Sequence, residues 1–297
     1  MTTPAIEIGG SHVSAALVDA SGAVGTIHRA SLDRNADAAT LLDAITAVAS
    51  RIGAGPGSAW GIAIPGPFDY EAGIGRYQNV GKFESLNGVD VGAALRAGVR
   101  PSPSSVRFIG DAIAFALGEW ASGPARGRAR IAALTLGTGI GSAFLIDGRP
   151  VTAGPEVPPE GRADLLARDG QGLEELVSGR AVLDAYRRLN GEPAASVAEL
   201  AQRAQTGDQL AGRVLEDSYR TLGEVLAPYV DAFRPDILVV GGGISAAWPL
   251  IEPSLRAGLR NDSVPIVQSA DTEVSALRGA AHEVETLSRH GDGRVGS

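Results

Sequence analysis

The chain has no cysteine, which excludes disulfides, cysteine-ligated zinc and thiol nucleophiles. Positive charge is also scarce: 26 Lys and Arg stand against 34 Asp and Glu, a net charge of −8. A surface of that sign repels phosphate backbones and argues against a nucleic-acid partner. No apolar run reaches the roughly 18 residues of a membrane-spanning helix. No basic stretch leading into an apolar core marks a secretion signal either, so a soluble cytoplasmic protein with no membrane partner is expected. With 297 residues and 44% apolar content, the chain exceeds a usual single domain of roughly 100–200 residues. Two domains, or one domain duplicated, are expected. The 40 glycines lie beside apolar runs rather than in polar tracts, as tight turns between packed elements require.

The densest glycine cluster is Leu134-Thr-Leu-Gly-Thr-Gly-Ile-Gly-Ser, with Gly137, Gly139 and Gly141 between two strand-like runs. Such a hairpin leaves backbone amides uncovered for an anion, with the Thr138 hydroxyl as an added donor. Taken alone, it is equally an ordinary tight turn. Two further clusters follow strands: Ile6-Glu-Ile runs into Gly9-Gly10-Ser11, and Ile237-Leu-Val-Val into Gly241-Gly242-Gly243. Between them, Leu41, Leu42, Ile45, Val48, Ala49 and Ile52 have helical spacing. The strand Trp60–Ile64 stops on Pro65-Gly66-Pro67, leaving its carboxyl end open, where ligands sit in α/β sheets. Val106–Ile109 is another strand, and Asp111 stands at its junction with a helix over 112–120, as an N-cap or nearly so. Residues 151–172 read as a loop, and helices are expected over 173–189, 197–205 and 209–232. A last amphipathic helix carries Leu277, Ala280, Ala281, Val284 and Leu287. The order βββαβαβα occurs twice in outline, from Ile6 and from Ile131, which predicts a duplicated α/β domain with a nucleotide in the cleft between the halves.

Six segments, in order, resemble the ROK proteins (repressors, open reading frames, kinases) of the actin/hexokinase/Hsp70 ATPase superfamily. Ile6-Glu-Ile-Gly-Gly-Ser is similar to the first phosphate segment, and Gly61-Ile-Ala-Ile-Pro-Gly-Pro with Gln78, Asn79 and Phe83 to the sugar loop. Gly110-Asp-Ala-Ile-Ala resembles the segment of the catalytic aspartate, and Leu136-Gly-Thr-Gly-Ile-Gly the second phosphate segment. Gly172-Leu-Glu-Glu-Leu-Val-Ser-Gly resembles the stretch after the family's zinc loop, and Val239-Val-Gly-Gly-Gly-Ile-Ser the adenosine segment. The resemblance implies ribonuclease H-like, actin-like domains, a small one over 1–112 with 278–297 and a larger one over 113–277. It implies an ATP- and Mg2+-dependent sugar kinase that phosphorylates a hexose at its 6-hydroxyl, with Asp111 as general base, and a homodimer. A carboxylate at a helix start is ionised at neutral pH and can accept a proton as an alkoxide forms. Carried over residue by residue, Gly66, Asn79, Asp111, Glu156 and Glu174 would contact the sugar. Gly9, Gly10, Ser11, Gly137, Thr138, Gly139, Gly241, Gly242 and Gly243 would hold ATP. Glu7 would hold Mg2+ through water.

Four departures from the family pattern stand out. Glu7 replaces the usual Asp, Gly110 an Asn beside the base, and Pro159 a His that touches sugar and zinc, while the cysteine ligands are missing. Zinc is therefore not expected. Acids at Glu156 and Glu160 with fewer neutral donors suit an amino group on the ring, as in kanosamine, whose kinases resemble ROK glucokinases. The same departures leave a non-catalytic ROK-like sugar or nucleotide binder as the alternative. A ROK repressor is disfavoured, since those carry a helix-turn-helix before the first phosphate segment, and a Rossmann dehydrogenase by the late, incomplete glycine motif.

Overall fold

The computed structural model describes residues 2–243 and 247–291, with side chains through Thr286. It forms two compact units, one of residues up to Arg126 with those from Glu273 onward, the other Gly127–Thr272.

In the first unit β1 (Thr2–Ile8) is buried from Thr3 onward, on both faces of the sheet. It pairs antiparallel with β2 (His12–Asp19), which pairs in turn with β3 (His28–Ser31). Asp19 closes the turn after β2 by accepting the amides of Ser21 and Ala23. Val24 makes an isolated bridge to Val18, ahead of β3, which starts at His28. α1 (Ala38–Ala49) buries Leu41, Ile45, Val48 and Ala49 and is capped by Asp37. β4 (Ala59–Ile64) runs parallel to β1. The two-residue strands β5 (Phe68–Asp69) and β6 (Ile74–Gly75) follow, then α2 (Val91–Gly98), β7 (Ser105–Gly110) and α3 (Asp111–Ser122). The sheet order is β3-β2-β1-β4-β7.

The second unit repeats this plan in its own sheet, ordered β10-β9-β8-β13-β14. β8 (Arg130–Leu136) and β9 (Ile140–Ile146) form an antiparallel hairpin, with β10 (Arg149–Pro150) on β9. Residues 151–172 carry two short 3-10 turns and the ribbon β11 (Ala167–Arg168) and β12 (Gln171–Gly172). The helix expected over 173–189 is two, α4 (Leu173–Val177) and α5 (Gly179–Asn190). The chain is extended at Ser178, whose hydroxyl caps α5 by accepting from the Ala181 amide. α6 (Val197–Gln205) and α7 (Gln209–Phe233) lead into β13 (Ile237–Gly241), α8 (Trp248–Leu259) and β14 (Ile266–Gln268). β13 is parallel to both β8 and β14.

α9 (Thr272–Gly291) returns to the first unit from Glu273 onward. A Cβ on Gly118 of α3 would lie 1.8 Å from the Ser275 carbonyl oxygen, and one on Gly279 of α9 1.8 Å from that of Ala114. The two backbones therefore touch, and α3 belongs with the first unit rather than beginning the second at residue 113. In the second unit Gly223 of α7 and Gly258 of α8 make the same kind of contact, against Leu255 and Arg220 carbonyls. The Leu287 side chain and residues Ile244 and Ser245 of the expected adenosine segment lie outside the described part. Among the described residues no helix is long and apolar enough to cross a membrane.

Candidate functional site

In the first unit the β1–β2 hairpin turns at Gly9, Gly10 and Ser11, where the Gly9 amide donates to the His12 carbonyl at 2.9 Å. Gly10 and Ser11 are exposed, and a Cβ at Gly10 would meet nothing within 4 Å. Amides at such a tip are available to an anion. Pairing of Ile8 with Val13 and of Glu7 with Ser14 puts Glu7, His12 and Ser14 on one face of the sheet. Glu7 is only 8% exposed. His12 Nε2 lies 3.2 Å from Glu7 Oε2 without hydrogen-bond alignment, and that buried oxygen has no hydrogen-bond partner. Glu273, in the first turn of α9, accepts from the Ser14 hydroxyl and is bridged by Arg29 through Nε at 2.7 and 2.8 Å. Burial raises the Glu7 carboxyl above its ordinary value, partly offset by His12 and reinforced by Asp111 and Glu273. Its closeness to Glu7 raises the His12 imidazole.

Asp111 stands where β7 ends and α3 begins, its Oδ1 accepting the Ala112 amide at 2.8 Å. Gly110 is the residue in the N-cap position, so Asp111 occupies the first helical position instead. Parallel pairing of Ile64 with Gly110 brings the end of β4, and thus Pro65 and Gly66, beside it. Two tyrosines line this corner. Tyr77 is fully buried and donates to the Pro65 carbonyl at 2.6 Å; burial, then Tyr70 and Asp111, raise its phenol. The Tyr70 hydroxyl lies 3.2 Å from where a Cβ on Gly66 would stand and 3.3 Å from one on Gly110. The space opened by Gly110 is thus faced by a phenol. Asn79 follows two residues after Tyr77, exposed and with a φ of 59°.

In the second unit Gly137, Thr138 and Gly139 close the β8–β9 hairpin, the Gly137 amide donating to the Gly139 carbonyl at 3.0 Å. Gly137 and Thr138 are exposed, and a Cβ at Gly137 would meet nothing within 4 Å. Gly241 pairs with Thr135, and Gly242, with a φ of 103°, packs so that a Cβ would lie 2.0 Å from the Leu136 carbonyl. Gly243 is open. Gly179 donates to the Gly137 carbonyl at 2.9 Å, and Glu174 reaches over Gly139, where a Cβ would stand 2.1 Å from its Oε1. The structure therefore gathers Gly137–Gly139, Gly241–Gly243 and Glu174 at the carboxyl end of β8 and β13.

It does not bring Glu156 there. Glu156 lies 3.9 Å from Arg130, at the opposite end of β8, about 20 Å along the strand at the usual rise. The part of that loop anchored near the hairpin is 161–163, where the Ser142 hydroxyl donates to the Gly161 carbonyl at 2.8 Å and accepts the Ala163 amide at 2.7 Å. Glu160 is the adjacent acid, 3.3 Å from Arg162. Sequence reasoning missed His12, Glu273, Tyr70 and Ser142. His12 was accessible through the hairpin register, which fixes which side chains share a face with Glu7. Glu273 was not, since only tertiary packing brings α9 to β2.

A family model described as ROK family matches residues 3–286. The chain belongs to the ROK family. It is 30% identical over 250 residues to the glucokinase of Thermotoga maritima, covering 74% of this chain and 77% of that one. It is 27% identical over 296 residues to the kanosamine kinase of Amycolatopsis mediterranei, covering 93% of each. The DNA-binding transcriptional repressor Mlc of Escherichia coli is 26% identical over 222 residues, 69% of this chain and 53% of that protein. Among solved structures, a ROK family glucokinase from Streptomyces griseus in complex with glucose and AMPPNP superposes with a TM-score of 0.74 at 24% identity, covering 95% and 99% of the two chains. That likeness shows the fold: duplicated α/β domains of the actin-like ATPase type.

Proposed function

We propose that this ROK protein is an ATP-dependent sugar kinase that phosphorylates the 6-hydroxyl of a hexose, with Asp111 as the base. The observation that carries this reading is the placement of Asp111. A carboxylate at a strand-to-helix junction, beside the open end of β4 and its Pro-Gly-Pro turn, is positioned to take a proton from a bound hydroxyl. Gly66, beside the β4 end, is proposed to contact the sugar, as are Asn79 and Glu174. The open Cβ positions at Gly10, Gly137 and Gly243 fit backbone approach to a nucleotide. Gly9–Ser11, Gly137–Gly139 and Gly241–Gly243 are the segments proposed to hold ATP, which supplies the phosphoryl group.

The likeness to a kanosamine kinase over nearly the full length of both chains supports an amino-hexose substrate. Gly110 and the nearby Tyr70 hydroxyl give this chain a sugar corner of its own. Glu156 is left out of the proposed pocket because of its place beside Arg130. A coupled ADP-release assay over neutral and amino hexoses tests the reading, with Asp111→Asn as control. The expected result is turnover by the parent chain and near-complete loss in the variant with sugar binding kept. Glucose turned over at least as well as every amino-hexose would overturn the amino-sugar part. Sugar binding without ADP release by the parent chain would favour the second reading, a sensor, for which the likeness to the Mlc repressor speaks.

A further inference from the structure

The family resemblance implies Mg2+ held by Glu7 through water, and the donors around Glu7 do not match that ion. Mg2+ is bound by oxygen and keeps most of its waters, usually relying on one or two carboxylates and substrate phosphates. Here an imidazole nitrogen stands 3.2 Å from the Glu7 carboxylate. The donor atoms of Glu7, His12 and Glu273 all lie within 4.8 Å of one another. Donors on opposite sides of an ion bonded at about 2.1 Å stand about 4.2 Å apart, so the three close on an ion with a shift well under about 1 Å.

A further observation points to an occupant. Glu7 Oε2 is buried and has no hydrogen-bond partner, and an unsatisfied buried carboxylate oxygen is costly unless something binds it. Glu273 Oε1 accepts from Ser14 and Arg29, and Oε2 accepts from two nitrogens of Arg29, so an ion would take the place of one of these contacts.

We propose that Glu7, His12 and Glu273 bind one divalent ion of the Mn2+, Co2+ or Zn2+ class directly, in preference to Mg2+ and without nucleotide. Mixed imidazole and carboxylate donors are the set such borderline ions accept. This inference does not depend on the substrate or on catalysis.

The test uses the metal-stripped full-length protein without nucleotide or sugar. Mn2+ is titrated and its free electron paramagnetic resonance signal read, then Co2+ is added and its visible spectrum recorded. The expected result is one ion per chain, not displaced by tenfold Mg2+, with affinity about tenfold or more lower in His12→Gln and in Glu7→Gln. Circular dichroism checks that both variants fold. Should either fail to fold, the wild-type protein still decides the matter, because it has only four histidines. Substoichiometric Mn2+ should then broaden the His12 imidazole resonance ahead of the other three. Absence of saturable binding, equal displacement by Mg2+, unchanged affinity in a folded His12→Gln, or an unbroadened His12 resonance would each overturn the proposal.

Discussion

Asp111 and the two tyrosines near it carry different loads. Removing the carboxylate in Asp111→Asn should lower kcat by about 10²–10⁴, the range of general-base contributions, while calorimetry shows sugar affinity kept. Tyr77→Phe should act on stability instead. It leaves the buried Pro65 carbonyl without its donor, a loss of about 1–3 kcal/mol readable from the urea midpoint. Tyr70 is partly exposed at the corner shared by Gly66 and Gly110, its hydroxyl donating to the Ile64 carbonyl at 3.4 Å, so Tyr70→Phe should raise KM for the sugar and lower the urea midpoint less than Tyr77→Phe does. A shift in the midpoint alone would make Tyr70 a packing residue. The position of Asp111 at a strand-to-helix junction was legible from its place after an apolar run and before a helical one, and the role proposed for it came from the family resemblance. The position of Tyr70 was not legible, because its hydroxyl reaches Gly110 across forty residues of chain and only the folded loop sets that distance.

Helices and hairpins put these side chains in place. Glu174 lies over the second glycine hairpin, and Gly139→Ala would drive a methyl group into it. The expected outcome is weaker sugar binding by calorimetry with the circular dichroism spectrum unchanged. The caps of the helical layer of the second unit are sensitive to acid. Asp208 opens α7 by accepting the amides of Leu210 and Ala211, and it also accepts from the Tyr186 hydroxyl at 2.5 Å. These contacts, the Tyr186 hydroxyl first, hold its carboxyl below the ordinary aspartate value. A lowered folded-state pKa means the contribution is present above the unfolded value and fades as pH falls through the folded one. Asp208→Asn should therefore lower the urea midpoint at about pH 7 and converge on the wild type as pH falls through the lowered folded-state value. Strands and helices themselves were readable from period and caps. The break at Ser178 is also local in cause: its hydroxyl caps a new helix inside an otherwise continuous apolar period.

At the scale of the molecule, each unit has its own apolar core, and the chain passes from the first to the second through the exposed stretch around Arg126, Gly127 and Arg128. Limited trypsin digestion should cut there first, since the flanking elements are hydrogen-bonded and the stretch is not regular. Because α9 packs on α3 through Gly118 and Gly279, the two fragments should co-elute on gel filtration and separate only in denaturant. Fragments that part in native buffer would contradict the assignment of α9 to the first unit.

The sequence by itself determined the repeat of strands and helices, the three glycine turns, the junction carrying Asp111 and the exclusion of a cysteine-zinc site. Those are local matters, written in periodicity and in residues whose chemistry depends on their immediate neighbours. Only the tertiary structure decided that Glu156 sits with Arg130 and away from Glu174, that Tyr70 faces Gly110, and that Glu273 joins Glu7 and His12. Each of these contacts joins residues distant in the chain. Their distances follow from how whole elements pack, which no local pattern encodes.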